Sequence, residues 1–322
     1  MFFSFTAVEA KFREKLQTLA DKIKEETTLL EENGWCFLFK HAKTKKPLTD
    51  SFFSDDKSTY YVVGDVYNIT ELRALLLPYS SSVTTCNTAQ LLSILYNNIG
   101  YRAFACVEGS FTLLISSCDK TLTLFTDNLG LCPVNFVFGE TLWISSELKN
   151  IGLVNPCIFS FKKNEEIVTN VFRSDTFLPI HNGMRLKPGQ MVCIKFDGNS
   201  YPYIQSADAF HLALNHESNI KKDVAIQFID RLLCESLNNI IHAEQKIAIS
   251  LSGGLDSSLV TALACKGKKE ITTYSIGTEE SNEFEYSSVV AQHLGTNHHQ
   301  YIMTNKDIIK GIVESIYYTA RT

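Results

Sequence analysis

The chain has 322 residues, 45% of them hydrophobic, which is enough apolar material for two cores of roughly 150 residues each. A net charge of −5 excludes the summed positive field that would hold a nucleic acid or an anionic membrane surface. No apolar run reaches the roughly 18 residues of a membrane-spanning helix, and Met1-Phe2-Phe3-Ser4-Phe5 sets no basic region before an apolar stretch, so a soluble, cytoplasmic protein is expected.

In chain order, the apolar spacing predicts a helix over Val8–Glu31 and then short alternating strands at Trp35–Phe39 and Tyr60–Val66. A second helix is expected at Asn87–Asn98, where Leu91, Leu92, Ile94 and Leu95 make an apolar stripe. Further strands follow at Tyr101–Cys106, Phe111–Ser116, Thr121–Thr126, Thr141–Ser145 and Gln190–Lys195, with turn formers at Asp127–Gly130 and Lys187–Gly189. The polar stretch Asp197–Ser218 reads as a connection, which places a β-rich domain at residues 1–205 and a second domain at 206–322. From the helix Lys221–Ala243 onward, strands at Lys246–Leu251, Thr272–Ile276 and His299–Met303 alternate with helices at Ser257–Cys265, Glu283–Leu294 and Lys306–Tyr318. Strands separated by helices imply a parallel sheet built from right-handed crossovers. Nine cysteines, an odd number without a C-x-x-C pair, predict reduced and mostly buried thiols.

The chemistry concentrates where the apolar strand Ile247–Leu251 runs into Ser252-Gly253-Gly254-Leu255-Asp256-Ser257-Ser258 and then into a helix. The two glycines permit a turn with inward-pointing amides, and the helix start adds unpaired N–H groups and a positive dipole end, so the junction suits a phosphate. Ser252, Ser257 and Ser258 supply hydroxyl donors. Asp256 would repel phosphates unless a cation lay between, and Mg²⁺, commonly held by one or two carboxylates plus phosphate oxygens, is the natural choice. The Gly-Lys-Ser/Thr of a Walker A loop is absent, so the string fits a grip on pyrophosphate during attack at the α-phosphorus better than γ-phosphoryl transfer. The plainer alternative is a glycine turn with Ser and Asp as helix caps. His298 and His299 alternate across a strand and cannot share one metal ion. Glu283 and Glu285 read as helix caps.

Ser252 to Ser258 resembles the pyrophosphate motif of the ATP pyrophosphatase superfamily, and Tyr274–Gly277 with Gly295–His298 resembles its asparagine synthetase branch. Gly109–Ile115, Asp127–Pro133 and Ile144–Glu147 look like blocks of that branch's amidotransferase-type N-terminal domain. Within the branch, Ser174–Pro179, Arg185–Gly189, Ser258–Leu263, Thr273–Thr278, Ser281–Glu285 and Ile312–Tyr318 look like the carbapenam synthetase subgroup of β-lactam-forming enzymes. The resemblance implies an αββα sandwich of the N-terminal-nucleophile type, joined to an α/β parallel-sheet synthetase domain. It implies an ATP- and Mg²⁺-dependent ligase that adenylates the carboxylate of a carboxymethylproline-like amino acid, closes an amide ring and releases AMP and pyrophosphate. Carried over by position, Ser252, Gly253, Gly254, Ser257 and Ser258 would hold pyrophosphate, Asp256 would bind Mg²⁺, and the backbone at Ser250 and Ile276 would contact adenine. A small-molecule substrate, no nucleic acid, no membrane and a homo-oligomer are the expected partners.

Two departures shape the expectation. Glutamine-hydrolysing relatives use a first-residue cysteine with its own amine as base, but Phe2 follows the initiator here, and Ser4 or Thr6 would serve only after trimming. From Lys246 to Thr322 there is room for two or three βα units at roughly 30 residues each, so the synthetase sheet should be incomplete. By the resemblance, the second glycine loop, the tyrosine–glutamate pair and the catalytic lysine would all lie beyond this point. No catalytic residue is therefore assigned to this chain, and three readings stand: a ligase, a non-catalytic remnant with part of an ATP site, and a glutamine-hydrolysing asparagine synthase relative. An incomplete sheet should also leave an apolar face exposed.

Overall fold

The computed structural model describes residues 2–23, 26–41, 48–162, 178–195, 203–208, 220–243, 246–267 and 270–319. The chain divides into two compact units, the first closing at Leu212 and the second running Ala213–Tyr317. The first contains β1 (Phe2–Glu9), α1 (Arg13–Lys22), β2 (Thr27–Glu32), β3 (Trp35–His41), β4 (Phe52–Ser54), β5 (Ser58–Val66), α2 (Ile69–Leu76) and α3 (Thr88–Ile99). It continues through β6 (Gly109–Ser117), β7 (Leu122–Thr126), β8 (Asn135–Phe138), β9 (Leu142–Ser145), α4 (Leu148–Val154), β10 (Gly183–Arg185), β11 (Gln190–Lys195) and β12 (Tyr203–Asp208).

Strand pairing produces two antiparallel runs, β4-β5-β6-β7-β11-β12 and β2-β3-β1-β9-β8-β10, that meet at one parallel pair, Phe2 with Val63. The central strands are buried on both faces, and their alternation sorts side chains into three layers. Phe5, Phe37, Phe39 and Ile144 of one run meet Tyr61, Val63, Leu114, Leu124 and Val192 of the other in a core between the sheets. The opposite face of the second run, with Val8, Cys36, Leu38 and Trp143, packs on Leu16, Leu19 and Ile151 of α1 and α4. Tyr60, Val62, Phe111, Leu113 and Phe125, on the opposite face of the first run, pack on Leu72, Leu76, Leu91, Leu92 and Leu95 of α2 and α3. The result is the expected αββα sandwich.

Several polar groups inside this sandwich are paired with one another, whereas the buried Ser4 Oγ and Thr141 Oγ1 have no hydrogen-bond partner among the described residues. Ser145 Oγ donates to the Phe5 carbonyl at 3.0 Å and lies 2.9 Å from Thr6 Oγ1, Asn150 Nδ2 donates to Thr6 Oγ1, and the Phe5 amide donates to Ser146 Oγ at 3.0 Å. Beside them Lys40 and Glu147 form an ion pair at 3.2 Å with side chains only 7% and 3% exposed. Lys149 approaches the other Glu147 oxygen at 3.8 Å.

The structure corrects several sequence expectations. Val8–Glu31 is not one helix: β1 occupies its start, α1 only ten residues, and β2 its end. Strand Phe2–Glu9 is bonded to three neighbours, so sheet pairing overrides a helix-like apolar spacing there. Tyr101–Cys106 is a 3₁₀ turn, entered through Gly100 at φ +88° and anchored by Phe104, whose ring centroid lies 4.4 Å from that of Phe125. Within the stretch read as a connection, Tyr203–Asp208 is a strand paired along its whole length with β11. Residues 174–177 of one resemblance string, and 197–202 and 209–218 of the connection, lie outside the described residues. All nine cysteines are free, but only Cys36, Cys86 and Cys132 are buried, whereas Cys106, Cys118 and Cys157 are exposed. Burial pushes the Cys36 thiol up to about 11.

The second unit contains α5 (Lys222–Ala243), β13 (Ala248–Ser250), α6 (Leu255–Gly267), β14 (Thr272–Gly277), α7 (Phe284–Leu294), β15 (Asn297–Ile302) and α8 (Asn305–Thr319). The strands are parallel in the order β13-β14-β15, the incomplete sheet that the sequence predicts. Thr273 and Ser275 are buried on one face, while Tyr274, Ile276 and Tyr301 on the other are 45%, 62% and 54% exposed. Among the described residues, no helix is long and apolar enough to cross a membrane.

Lys40→Met would strand the Glu147 carboxylate in the sandwich, and unfolding by urea should show a loss of about 3 kcal/mol, the lower end for breaking a buried pair, because Lys149 remains nearby. An unchanged midpoint would mean the pair contributes nothing.

Candidate functional site

The glycine-rich string lies at the carboxyl end of β13, where ligands sit in open parallel sheets. Its entry is pinned from both sides: the Leu251 amide donates to the Tyr274 carbonyl at 2.8 Å, and the Ser275 hydroxyl donates to the Leu251 carbonyl. Leu251 itself is fully buried, whereas the chain from Ser252 to Asp256 is exposed or half-buried.

The two glycines have different reasons to be glycine. Gly253 has φ +86°, and a Cβ there would stand 2.5 Å from the Ser287 amide nitrogen and 2.6 Å from Tyr286, so close packing on the first turn of α7 requires its absence. Gly254 has ordinary φ, and a Cβ there would meet only Ser252 Oγ at 3.3 Å. Nothing in the described fold demands a glycine at 254, and the space a side chain would fill lies open above the helix start.

That helix start is α6. The Gly254 amide donates to Ser252 Oγ at 3.2 Å, Ser252 Oγ lies 3.0 Å from Ser257 Oγ, and Ser257 Oγ donates to the Gly254 carbonyl at 3.3 Å. The first helical amide with an internal acceptor is that of Ser258, bonded to the Gly254 carbonyl at 3.1 Å. The amides of Leu255, Asp256 and Ser257 have no acceptor among the described residues, so the positive end of α6 faces outward. Asp256 is in this first turn with an exposed carboxylate. Ser258 differs from the other two serines: its Oγ is buried and has no hydrogen-bond partner among the described residues.

The expected site residues therefore divide. Ser252, Gly253, Gly254, Asp256 and Ser257 form one exposed turn, and Ser258 Oγ lies beneath it. Ser250 is in register with Tyr274 on β14, and Ile276 lies two residues further along the same strand on the exposed face. Among the described residues no group of three or more His, Cys, Asp or Glu could hold a metal, so a divalent ion at Asp256 would need oxygens from the nucleotide itself. His298 Nδ1 lies 2.9 Å from Thr273 Oγ1, while His299 stacks on Tyr274 on the opposite face, as the alternation requires. Glu283 precedes α7 without a side-chain cap, and Asn282 Oδ1 instead accepts from the Phe284 amide. Sequence reasoning assigned no role to Ser275, although it lies within the Tyr274–Gly277 string, and passed over Ser287, because the part each plays rests on contacts made only after folding.

Among the described residues, the hydroxyl groups near the start of β1 are buried. Ser4 and Thr6 are each 1% exposed, in the middle of a strand paired with Lys40, Leu38 and Ser145.

Comparison with known proteins matches residues 5–207 to the family described as "Carbapenam-3-carboxylate synthase, N-terminal" and residues 229–321 to the family "Asparagine synthase". A probable glutamine-hydrolysing asparagine synthetase of Acanthamoeba polyphaga mimivirus is 26% identical over 279 residues, covering 84% of this chain and 48% of the relative. The glutamine-hydrolysing asparagine synthetase of Gallus gallus is 28% identical over 273 residues, covering 79% and 45%. The chain thus spans about half the length of these curated relatives. A solved glutamine phosphoribosylpyrophosphate amidotransferase from B. subtilis aligns with a TM-score of 0.45 at 12% identity, covering 96% of this chain and 92% of that one.

Gly253→Ala should lower the stability of the second unit by more than about 1 kcal/mol, because it adds both a strained φ and a clash with α7. Gly254→Ala should leave the melting transition within about 0.5 kcal/mol of the parent. Equal destabilisation by the two changes, read by thermal denaturation, would contradict the assignment of separate reasons.

Proposed function

This chain belongs to the carbapenam-3-carboxylate synthase N-terminal family, joined to an asparagine synthase segment, and from that premise we propose that it binds ATP at the Ser252–Ser258 turn and serves carboxylate activation for amide formation. The observation that carries the reading is Gly254, open above three unpartnered amides at a helix start, where the fold itself has no use for a missing side chain. Ser252 and Ser257 would add hydroxyl donors to the pyrophosphate oxygens, and the exposed sheet face at Ser250 and Ile276 would lie along the adenosine. Mg²⁺ fits as a guest of Asp256 plus nucleotide oxygens, and when bound it would neutralise charge on the pyrophosphate as that group leaves.

In the carbapenam synthetase form of the proposal, the side-chain carboxylate of a carboxymethylproline-like amino acid attacks the α-phosphorus and pyrophosphate departs. The ring nitrogen then attacks the acyl carbon, the amide bond closes, and AMP leaves with the bonding electron pair. The attacking amine belongs to the substrate, which agrees with a first unit whose Ser4 and Thr6 are buried in mid-strand. A non-catalytic ATP-binding protein is the second reading, in which the three-stranded sheet presents the turn for binding alone. In the absence of nucleotide, copies of the chain would associate through the exposed face at Tyr274, Ile276 and Tyr301, and sedimentation velocity across a concentration series without ATP checks this; a single monomer boundary throughout overturns it.

Calorimetric titration with ATP and Mg²⁺ should give saturable binding that Gly254→Val weakens at least tenfold, a loss of about 1.4 kcal/mol or more. No binding by the parent chain would remove the nucleotide assignment altogether. With carboxymethylproline added, substrate-dependent release of AMP supports the ligase reading; ATP binding without AMP supports the non-catalytic one.

A further inference from the structure

Helix α5 is anchored in the second unit by its C-terminal half, where Leu237 and Ile241 pack with Ala264, Ile249 and Ile271. Its N-terminal half carries apolar residues that the unit leaves in water: Val224, Phe228, Ile229 and Leu232 are each 45–55% exposed. Val224, Phe228 and Leu232 follow at four-residue intervals with Ala225, Ile229 and Leu233 beside them, so the two rows form one stripe along the helix. Most of the stability of such a helix comes from burial of its apolar face, and about three uncovered turns favour a partner.

The charges on this stripe have an order. Lys221, Phe228 and Glu235 recur every seven residues, which sets a cation, an aromatic ring and an anion in line along one edge. Lys221 stands at the helix entry, its carbonyl accepting from the Ala225 amide at 3.0 Å. Glu235 lies 3.6 Å from Arg231 in a pair whose side chains are both well exposed, so its carboxylate stays within reach of a second cation. The Arg231 guanidinium rests over the Phe228 ring at 5.3 Å, and half of that residue is still open to solvent.

That order fixes a direction of pairing. Two copies of α5 laid parallel would set Lys221 against Lys221 and Glu235 against Glu235. Laid antiparallel about Phe228, the same helices bring Lys221 of each copy to Glu235 of the other, Val224 to Leu232, and the two Phe228 rings together. Over the same span Lys221, Lys222 and Arg231 balance Asp223, Asp230 and Glu235, so no net charge draws the stripe to an anionic lipid surface. We propose that α5 is an interface for a second copy of this chain, joined antiparallel through Val224, Phe228 and Leu232 and oriented by Lys221 and Glu235. A stripe of about 21 Å is short for a standard interface, so the dimer is weak and depends on concentration. The surface is distinct from the nucleotide turn and from the sheet face at Tyr274 and Tyr301, and it can fail without either.

Sedimentation velocity of the whole chain carrying Tyr301→Glu, which charges the sheet face and blocks association there, tests it. The boundary should move from monomer toward dimer as concentration rises to about 100 μM. Lys221→Glu and Glu235→Lys should each weaken the dimer about tenfold, because either change replaces two attractive contacts by two repulsive ones. Together they should restore affinity to within about threefold of the parent, since the pairs form again with their signs exchanged. Phe228→Asp, at an exposed position, should abolish association and leave the melting transition in place. A monomer boundary at every concentration overturns the proposal, as does association that persists in Phe228→Asp. A double variant no tighter than either single change also overturns it, because only antiparallel copies bring those two charges together. Flotation of the chain with phosphatidylcholine–phosphatidylserine vesicles, without a dimer in solution, would give the stripe to a lipid surface instead.

Discussion

The structure depends first on strands that are apolar on both faces. A strand such as Trp35-Cys36-Phe37-Leu38-Phe39 cannot leave either side in water, so it needs a layer above and a layer below. Two such sheets satisfy each other on one face and require helices on the other. That requirement alone places α1 and α4 on one side and α2 and α3 on the other. Several of the polar groups drawn into this sandwich then pair among themselves: Ser145 with Thr6, Asn135 with Arg185, and Lys40 with Glu147, each meeting a demand that burial created.

The second unit works on a smaller scale. Three parallel strands give one packed face and one open face, and the turn after β13 is held by contacts from β14 and α7 as well as by the hydrogen bonds of Ser252 and Ser257 within it. Gly253 answers to α7, whereas Gly254 answers to no neighbour. This difference between adjacent glycines separates a turn shaped for packing from a turn that also leaves room for a guest, and a helix N-cap alone would have had no need of the second. The buried Ser258 Oγ shows the same division, since it follows the motif by position but lies beneath the surface that the other two serines share.

Much of this was legible in the residues. The alternating strands from Trp35 to Lys195 announced a β-rich first domain and the βα rhythm after Lys221 a parallel sheet, whereas the αββα sandwich was implied by the family resemblance. The Ser252–Ser258 string marked the strand-to-helix junction, although the helix begins at Leu255, two residues before the expected Ser257. The errors have physical causes. The stretch Val8–Glu31 carries helix-like apolar spacing, but pairing of Val8 and Glu9 with β3 claims its first residues for a strand. Tyr203–Asp208 has too few apolar residues to announce a strand and is one only because β11 offers it a ladder. Cysteine count and spacing predicted free thiols correctly but could not rank their exposure, which depends on where the helices and turns settle.

By itself, the sequence determined what local pattern can determine: which segments alternate with period two, which are separated by helices, and where a glycine pair joins a strand to a helix start. These follow from the geometry of the chain over a few residues. Only the tertiary structure decided which glycine is needed for packing, that Ser4 and Thr6 are sealed inside a strand, and that α5 docks through Leu237 and Ile241. Each of those is a contact between residues distant in the chain, created by the packing of whole layers, and no local pattern records it.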